Sequence, residues 1–267
     1  MENKIDYLEK NKALWNARTE FHVKSPFYDM ETFMKGKSSL DDIVTGMLDD
    51  LNGLSVLHLQ CHFGQDSLSI ARMGAKVTGV DISDKSIEKA QELNESLGLD
   101  AEFICCDVYE LPHILNKKFD IVFTSYGTIG WLPNMDTWAS VISTFLKPGG
   151  RFVFAEFHPV VWMFDNDFDK VTYNYFNTGP IYETEEGTYA DREAPIMKDY
   201  VGWNHSLGEI LGALLNNGLT IQSFREFDYS PYNCFMHTVE ISPQKFRIEH
   251  MDNRLPMVYS LEAIKMI

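Results

Sequence analysis

The sequence predicts an α/β fold, a mostly parallel sheet with helices on both faces. Three observations lead there. Short apolar runs alternate with helical patterns from residue 54 to about residue 157. Parallel strands need long crossovers, and the helical segments between the runs supply them. The length of 267 residues, with 45% hydrophobic residues, suits one large domain carrying a modest insertion.

Residues 1–50 show weak helical periodicity (Ile5, Leu8, Trp15) and then an aromatic stretch, "FHVKSPFYDMETFMKG", which reads as an N-terminal cap. The core follows over 51–158. "LSVLHLQ" is the first strand, and "DSLSIARM" a helix that stops at Gly74, a residue suited to the left-handed C-cap. "KVTGVDI" is the second strand. The helix "SDKSIEKAQELNESLG" has Ser83 as N-cap, Ile87, Ala90 and Leu97 as its apolar face, and Gly98 as its stop. "AEFICCDV" and "FDIVFTSYG" are strands three and four. The helix "MDTWASVISTFL" is stopped by "KPGG", and "RFVFAEF" is strand five.

Residues 159–204 break this rhythm with short alternating runs rich in Tyr, Gly and acids, and read as a small antiparallel flap. The core resumes over 205–267. Ser206 and Glu209 have capping-box spacing, and Leu207, Ile210, Leu211, Leu214 and Leu215 make one apolar helical face. "LTIQSFREF" and "LPMVYSLEAIK" are the last two strands, seven in all.

Composition narrows the function. The formal net charge is −16 and no Lys/Arg cluster is visible, which argues against a nucleic-acid partner and for a small-molecule substrate. No apolar run reaches the ~20 residues of a membrane span, and the charged start lacks a signal core. Four cysteines without framework spacing read as reduced thiols of a cytoplasmic protein. A monomer or a homodimer both fit.

The stretch "VLHLQCHFGQDSLSIARMGAKVTGVDIS" (56–83) has the form of a nucleotide-binding strand-turn-helix unit. Its turn should present backbone N–H groups and a helix N-terminus to the ligand. Gln60 and His62 stand where glycines are usual, and Gly64 holds the last glycine position, the one for close helix packing. Asp81 ends the second strand 21 residues after Gln60, where a carboxylate can accept from a ribose diol. A helix cap is the bland alternative for Asp81, but Ser83 fills that role. Asp107 ends the third strand in "CCDV", where it could accept from an exocyclic amine with Cys106 and Val108 flanking the ring. Ile82, Ser83, Ser125 and Tyr126 complete the set of expected cofactor contacts.

Taken in order, these segments resemble a class I S-adenosylmethionine-dependent methyltransferase, over roughly two thirds of the chain. "VLHLQCHFG" resembles that family's first motif, "VTGVDIS" the second, "CCDV" the third, "FDIVFTSYG" the fourth, and "FLKPGGRFVFAEFHP" the run into and through strand five. The resemblance implies a Rossmann-like seven-stranded fold and S-adenosyl-L-methionine as cofactor. It puts Asp81 on the ribose, Asp107 on the adenine amine, and Gln60, Cys61, His62 and Gly64 around the methionine part. The chain departs from the family at His58, where an acid is usual, and at Gln60 and His62. A "LQCHxG" turn is similar to that of a bacterial subgroup mostly without assigned substrates.

The implied reaction is in-line displacement of a methyl from a sulfonium onto a small acceptor. If a base is needed, His158 and His205 are the best placed by sequence, with His22 third. Tyr126 and Trp131 are candidates to face the sulfonium. Trp15, His22, Phe27 and Tyr28 of the cap, with Trp131 and with Trp162 of the flap, are expected to close over the acceptor. Two other functions share these residues: a cofactor-binding protein without methyl transfer, and an NAD-dependent oxidoreductase, which would normally keep the broken Gly-x-Gly-x-x-Gly pattern. His58, Cys61 and His62 are metal-ligand types, but the chain has no second cluster at zinc-like spacing, so no metal is expected.

Overall fold

The computed structural model describes residues 2–266, with side chains from residue 6 onward, so Ile5 of the expected N-terminal face lies outside the described side chains. The elements run in order α1 (Glu2–Lys24), α2 (Met30–Met34), α3 (Asp42–Thr45), β1 (Ser55–Leu59), α4 (Gln65–Arg72), β2 (Lys76–Asp81), α5 (Asp84–Ser96), β3 (Glu102–Cys105), α6 (Leu111–Ile114), β4 (Phe119–Ser125), α7 (Met135–Phe145), β5 (Leu146–Phe157), β6 (Ile181–Glu186), β7 (Met197–Gly202), α8 (Leu207–Asn216), β8 (Leu219–Phe227), β9 (Thr238–Ser242), β10 (Lys245–Ile248) and β11 (Val258–Lys265).

Seven strands form one sheet in the order β3-β2-β1-β4-β5-β11-β8. The first five pair in parallel, and β11 runs antiparallel to both β5 and β8. The chain winds outward from β1 to β3 and then returns to β4 on the other side of β1. Strand order therefore reverses at the carboxyl ends of β1 and β4, where a crevice opens.

Alternation along β5 shows why both faces must be covered. Phe152 and Phe154 pack on one side with Trp138, Ile142 and Phe145 of α7 and Ile210 and Leu214 of α8. Val153 and Ala155 pack on the other with Ile43, Val44, Leu48 and Ile70. The helix starts follow the capping rules: Ser83 Oγ accepts from Ser86 N at 3.0 Å, and Ser206 Oγ from Glu209 N at 3.2 Å.

Three details differ from the sequence reading. "KPGG" lies within β5, bent by Gly149 at φ +75°, rather than forming a separate helix stop. Leu215 sits at the edge of the apolar face of α8 and is 54% exposed. Residues 228–257, expected as core, contain a second antiparallel hairpin, β9–β10.

The flap forms the β6–β7 hairpin, and α1 lies along it. α1 docks through polar groups more than through an apolar stripe, which is why its periodicity is weak. The Asn11 amide donates to Val201 O at 2.8 Å and accepts from Val201 N at 2.9 Å, completing one edge of β7. Thr19 Oγ1 meets Ser86 Oγ on α5 at 2.7 Å. Cap, flap and core thus form one connected wall.

Gly64 is the tightest point of the core unit. Its φ is +78°, and a Cβ there would lie 2.8 Å from the Phe103 ring and 2.9 Å from Ala90 Cβ. Gly64→Ala should destabilise the protein by about 2 kcal/mol or more, combining backbone strain with overpacking. Urea denaturation at pH 7.5 measures this, and an unchanged midpoint would contradict the packing argument.

Candidate active site

After β1 the chain turns through Gln60 at φ 55° and His62 at φ 50° before Gly64 at φ 78°. Gln60 and His62 thus adopt the left-handed backbone that glycine would take, at a cost of roughly 1–2 kcal/mol each. Hydrogen bonds hold them there. Gln60 Nε2 donates to Thr128 O at 2.7 Å. The His62 ring has Nδ1 2.9 Å from Ser86 Oγ and Nε2 2.9 Å from His22 Nδ1. The side chains that replace glycine therefore brace the turn against β4's loop, α5 and the cap.

Asp81 ties the first two strand tips together. Its Oδ2 accepts from His62 N and its Oδ1 from Ser83 N, both at 2.8 Å. A carboxylate has about four acceptor positions, so two remain, and the side chain stands on the cavity wall. Burial pushes its carboxyl up to about 6 despite the backbone hydrogen bonds. Asp107 lies on the same wall at the tip of β3 and accepts from Tyr109 N at 3.0 Å.

The loop after β4 is fixed by a carboxylate not singled out in the sequence. Glu156, 1% exposed, accepts from the backbone N–H groups of Gly127, Thr128, Ile129 and Phe157 and from the Thr128 hydroxyl. A legible signal existed: a charge inside the apolar strand "RFVFAEF" must find partners.

The cavity between these tips, the cap and the flap measures about 1430 Å³. Ordinary single-ligand sites span about 300–1,000 Å³, so a second molecule fits beside a nucleoside. Gln60, Cys61, His62, Asp81, Ile82, Cys106, Asp107, Val108, Ser125 and Tyr126 all border it, as do Trp15, Phe27, Tyr28, Trp131 and Trp162.

Five expected site residues do not border it. Gly64 packs under the turn, as its Cβ contacts require. Ser83 is fully buried, with its hydroxyl donating to Asn16 Oδ1 at 2.6 Å. His22 is also fully buried and links His62 to Thr188 Oγ1, so it positions the turn from behind. His158 follows Phe157 on β5, and strand alternation turns it to the opposite face. There Nδ1 accepts from Val160 N and Nε2 lies 3.0 Å from Glu226. His205 Nε2 donates to Leu132 O at 2.7 Å and fastens the loop before α7. Neither His158 nor His205 is placed to take a proton from an acceptor in this cavity.

Residues 56–150 match the family model of a methyltransferase domain. The curated relatives include a sterol 4-C-methyltransferase of Caenorhabditis elegans, 26% identical over 160 residues, covering 59% of this chain and 46% of the relative. A ubiquinone biosynthesis O-methyltransferase of Chromobacterium violaceum is 27% identical over 132 residues, covering 48% and 56%. The chain spans about half the length of the curated relatives it matches. In fold it resembles an S-adenosylmethionine-dependent methyltransferase structure from Mesorhizobium loti, at TM-score 0.58 and 20% identity, covering 86% of this chain and 99% of that one. The architecture is the Rossmann-like methyltransferase fold.

Around the crevice the electrostatics are lopsided. Asp66, in the first turn of α4, accepts from Ser39 Oγ at 2.6 Å and lies 3.4 Å from Ser125 Oγ. Burial, with Asp41 nearby, raises its carboxyl to about 6. Asp41 is also buried and raised, while its Oδ1 caps α3. Burial, reinforced by Arg18, holds the His62 ring down at about 3 and His22 lower still. Asp66 thus carries charge at neutral pH, and these two histidines stay neutral.

The raised Asp66 makes a testable cost. Its folded pKa exceeds the unfolded 3.8, so the native state binds more protons between about pH 4 and 6, and stability falls as pH rises through that window. Above about pH 6 the cost reaches at most about 3 kcal/mol. Asp66→Asn should therefore stabilise the unliganded protein, by about twice as much at pH 8 as at pH 5. Urea midpoints at both pH values measure it, and an equal or larger gain at pH 5 would contradict the assignment.

Proposed function

We propose that this protein is an S-adenosylmethionine-dependent methyltransferase acting on a small-molecule acceptor. One observation carries the reading: Asp81, Asp107 and the left-handed turn 60–64 converge on one cavity at the point where strand order reverses. The residues fit the cofactor. Asp81 keeps two acceptor positions for a ribose diol. Gln60 Oε1 is buried without a hydrogen-bond partner beside the turn, ready for a donor. Asp107 faces the adenine amine, with Cys106 and Val108 beside the ring. Asp66, ionised at neutral pH, suits a ligand carrying positive charge.

The bound cofactor supplies a methyl already activated on a sulfonium, so the protein's task is alignment and exclusion of water. Trp15, Trp131 and Tyr126 border the crevice with aromatic surface that favours a sulfonium. The remaining volume is walled by Phe157, Trp162, Tyr232 and Phe235, which suits an acceptor with an apolar body. The relatives named above act on a sterol and in ubiquinone biosynthesis, which supports a small acceptor. Monomer and homodimer both remain compatible with this reading, and no nucleic-acid partner is invoked. Among the described residues no helix is long and apolar enough to cross a membrane.

Calorimetry with S-adenosylmethionine, S-adenosylhomocysteine and NAD tests the proposal. The first two should bind with dissociation constants on the order of micromolar, and NAD should not compete. Asp81→Asn should weaken both by at least tenfold. Wild-type binding should also weaken as pH falls through about 6, where Asp81 takes up a proton. NAD binding tighter than S-adenosylhomocysteine would overturn the reading. Uptake of labelled methyl by a panel of small acceptors then separates an enzyme from a silent binder.

A further inference from the structure

Asp66 was not among the residues expected at the site, yet it stands where the cofactor end of the cavity meets the remaining volume. Along the row of strand tips the order is β3, β2, β1, β4, β5. Asp107 follows the first, Asp81 ends the second, and the turn 60–64 follows the third. Asp66 comes two residues after that turn and reaches across to the fourth tip, with Oδ2 3.4 Å from Ser125 Oγ. Phe157 ends the fifth strand. Aromatic rings close the space beyond. Between ring centres, Tyr126 lies 5.5 Å from Phe157 and 5.1 Å from Tyr232, and Tyr232 lies 5.9 Å from Phe27. All four border the cavity, as does the half-buried Asp66.

This carboxylate has donors but no counter-charge. Ser39 Oγ donates to Oδ1 at 2.6 Å, and Ser125 Oγ is the donor nearest Oδ2. A carboxylate has about four acceptor positions, so two remain. Among the described residues no lysine, arginine or histidine pairs with it. Asp41 before α3, Tyr28 of the cap, Cys61 of the turn, Tyr126 after β4 and Tyr232 after β8 lie around it. Burial holds the thiol and the three phenols well above their ordinary values, so these four stay neutral at pH 7. An anion held this way costs stability in the empty protein, a sign of a position kept for function. A cation brought by a ligand offsets that cost, and the aromatic rings favour the same charge. A hydroxyl would leave Asp66 without a counter-charge, and an anionic group would be repelled.

We propose that the methyl acceptor is an amine on an apolar body, and that Asp66 holds its ammonium and takes up the proton that frees the nitrogen lone pair. The inference rests on the methyltransferase reading and deepens it by naming the acceptor class. The aromatic half of the cavity holds the body, and Asp66 presents the nitrogen at its border with the cofactor end. The proton passes from nitrogen to the Asp66 carboxylate, which acts as a general base. The lone pair then forms the bond from nitrogen to the methyl carbon, while the carbon–sulfur bond breaks and its electron pair returns to sulfur. A methylated ammonium and a neutral thioether result. Asp66 gives its proton to water when the product leaves, so one proton is released per turnover.

The probes are primary amines and alcohols of the same body: phenethylamine with phenethyl alcohol, and octylamine with octanol. Calorimetry at saturating S-adenosylhomocysteine compares them on wild type, Asp66→Asn and Asp66→Glu. Wild type should bind each amine about tenfold or more tighter than its alcohol, the worth of one charge-assisted hydrogen bond. Asp66→Asn should erase that preference, and Asp66→Glu should keep part of it. In wild type the preference should fade as pH falls through about 6, where Asp66 takes up a proton. Asp81 titrates in the same range, so the pH series is repeated on Asp66→Asn, where the preference should be absent throughout. Labelled methyl should pass to the amines and not to the alcohols.

Equal binding of amines and alcohols, or an amine preference that survives in Asp66→Asn, would overturn the assignment. S-adenosylhomocysteine and 5′-methylthioadenosine, each without added amine, separate a further role. If Asp66→Asn weakens the first and spares the second, Asp66 serves the cofactor's amino-acid tail and the inference is wrong. If wild type binds S-adenosylhomocysteine but shows no amine preference, only this inference falls. If wild type binds neither S-adenosylhomocysteine nor S-adenosylmethionine, the methyl-transfer reading falls and takes this one with it.

Discussion

The site depends on one carboxylate shared between two strand tips. Asp81 accepts from His62 N in the turn after β1 and from Ser83 N in the turn after β2. These two bonds lock the relative position of the turns, and the same side chain still faces the crevice. Burial keeps proton affinity high, and the backbone donors oppose it. The two oxygens that order the turns thus belong to the side chain that borders the crevice.

That lock explains how a turn without its usual glycines survives. Gln60 and His62 adopt φ values that penalise side chains. Each is held by hydrogen bonds to other elements: Thr128 for Gln60, Ser86 and His22 for His62. Glycine would give the same path with less cross-bracing. Here the turn is tied to the cap helix, so α1 and the cradle are mechanically linked. Glu156 does the same for the loop after β4, exchanging a buried charge for five donors.

The wall carries its charge unevenly. Asp41, Asp66, Asp81 and Asp107 stand around the crevice, and Arg18 is the buried cation among them. In a shielded cavity such charges act over longer distances than in water. Neutral His22 and His62 add hydrogen bonds without adding charge.

The core was legible in the sequence because its signals are local. Short apolar runs, Ser83 and Ser206 as caps, and Gly64, Gly74 and Gly98 as turns each report on a few consecutive residues. The strand-tip acids were legible for the same reason, since a strand end places its side chain predictably. What stayed hidden depends on contacts between distant segments. α1 docks through isolated polar pairs 167 to 190 residues apart, such as Arg18 with Glu185 and Asn11 with Val201. His158 and His205 look alike in the sequence as bases, and only tertiary contacts commit His158 to Val160 and Glu226 and His205 to Leu132. The sequence by itself determined the alternating strands and helices of the core, because propensity, capping and periodicity are short-range. The tertiary structure alone decided which polar side chains face the ligand and which face a partner, because that choice depends on what the rest of the chain brings within hydrogen-bonding distance.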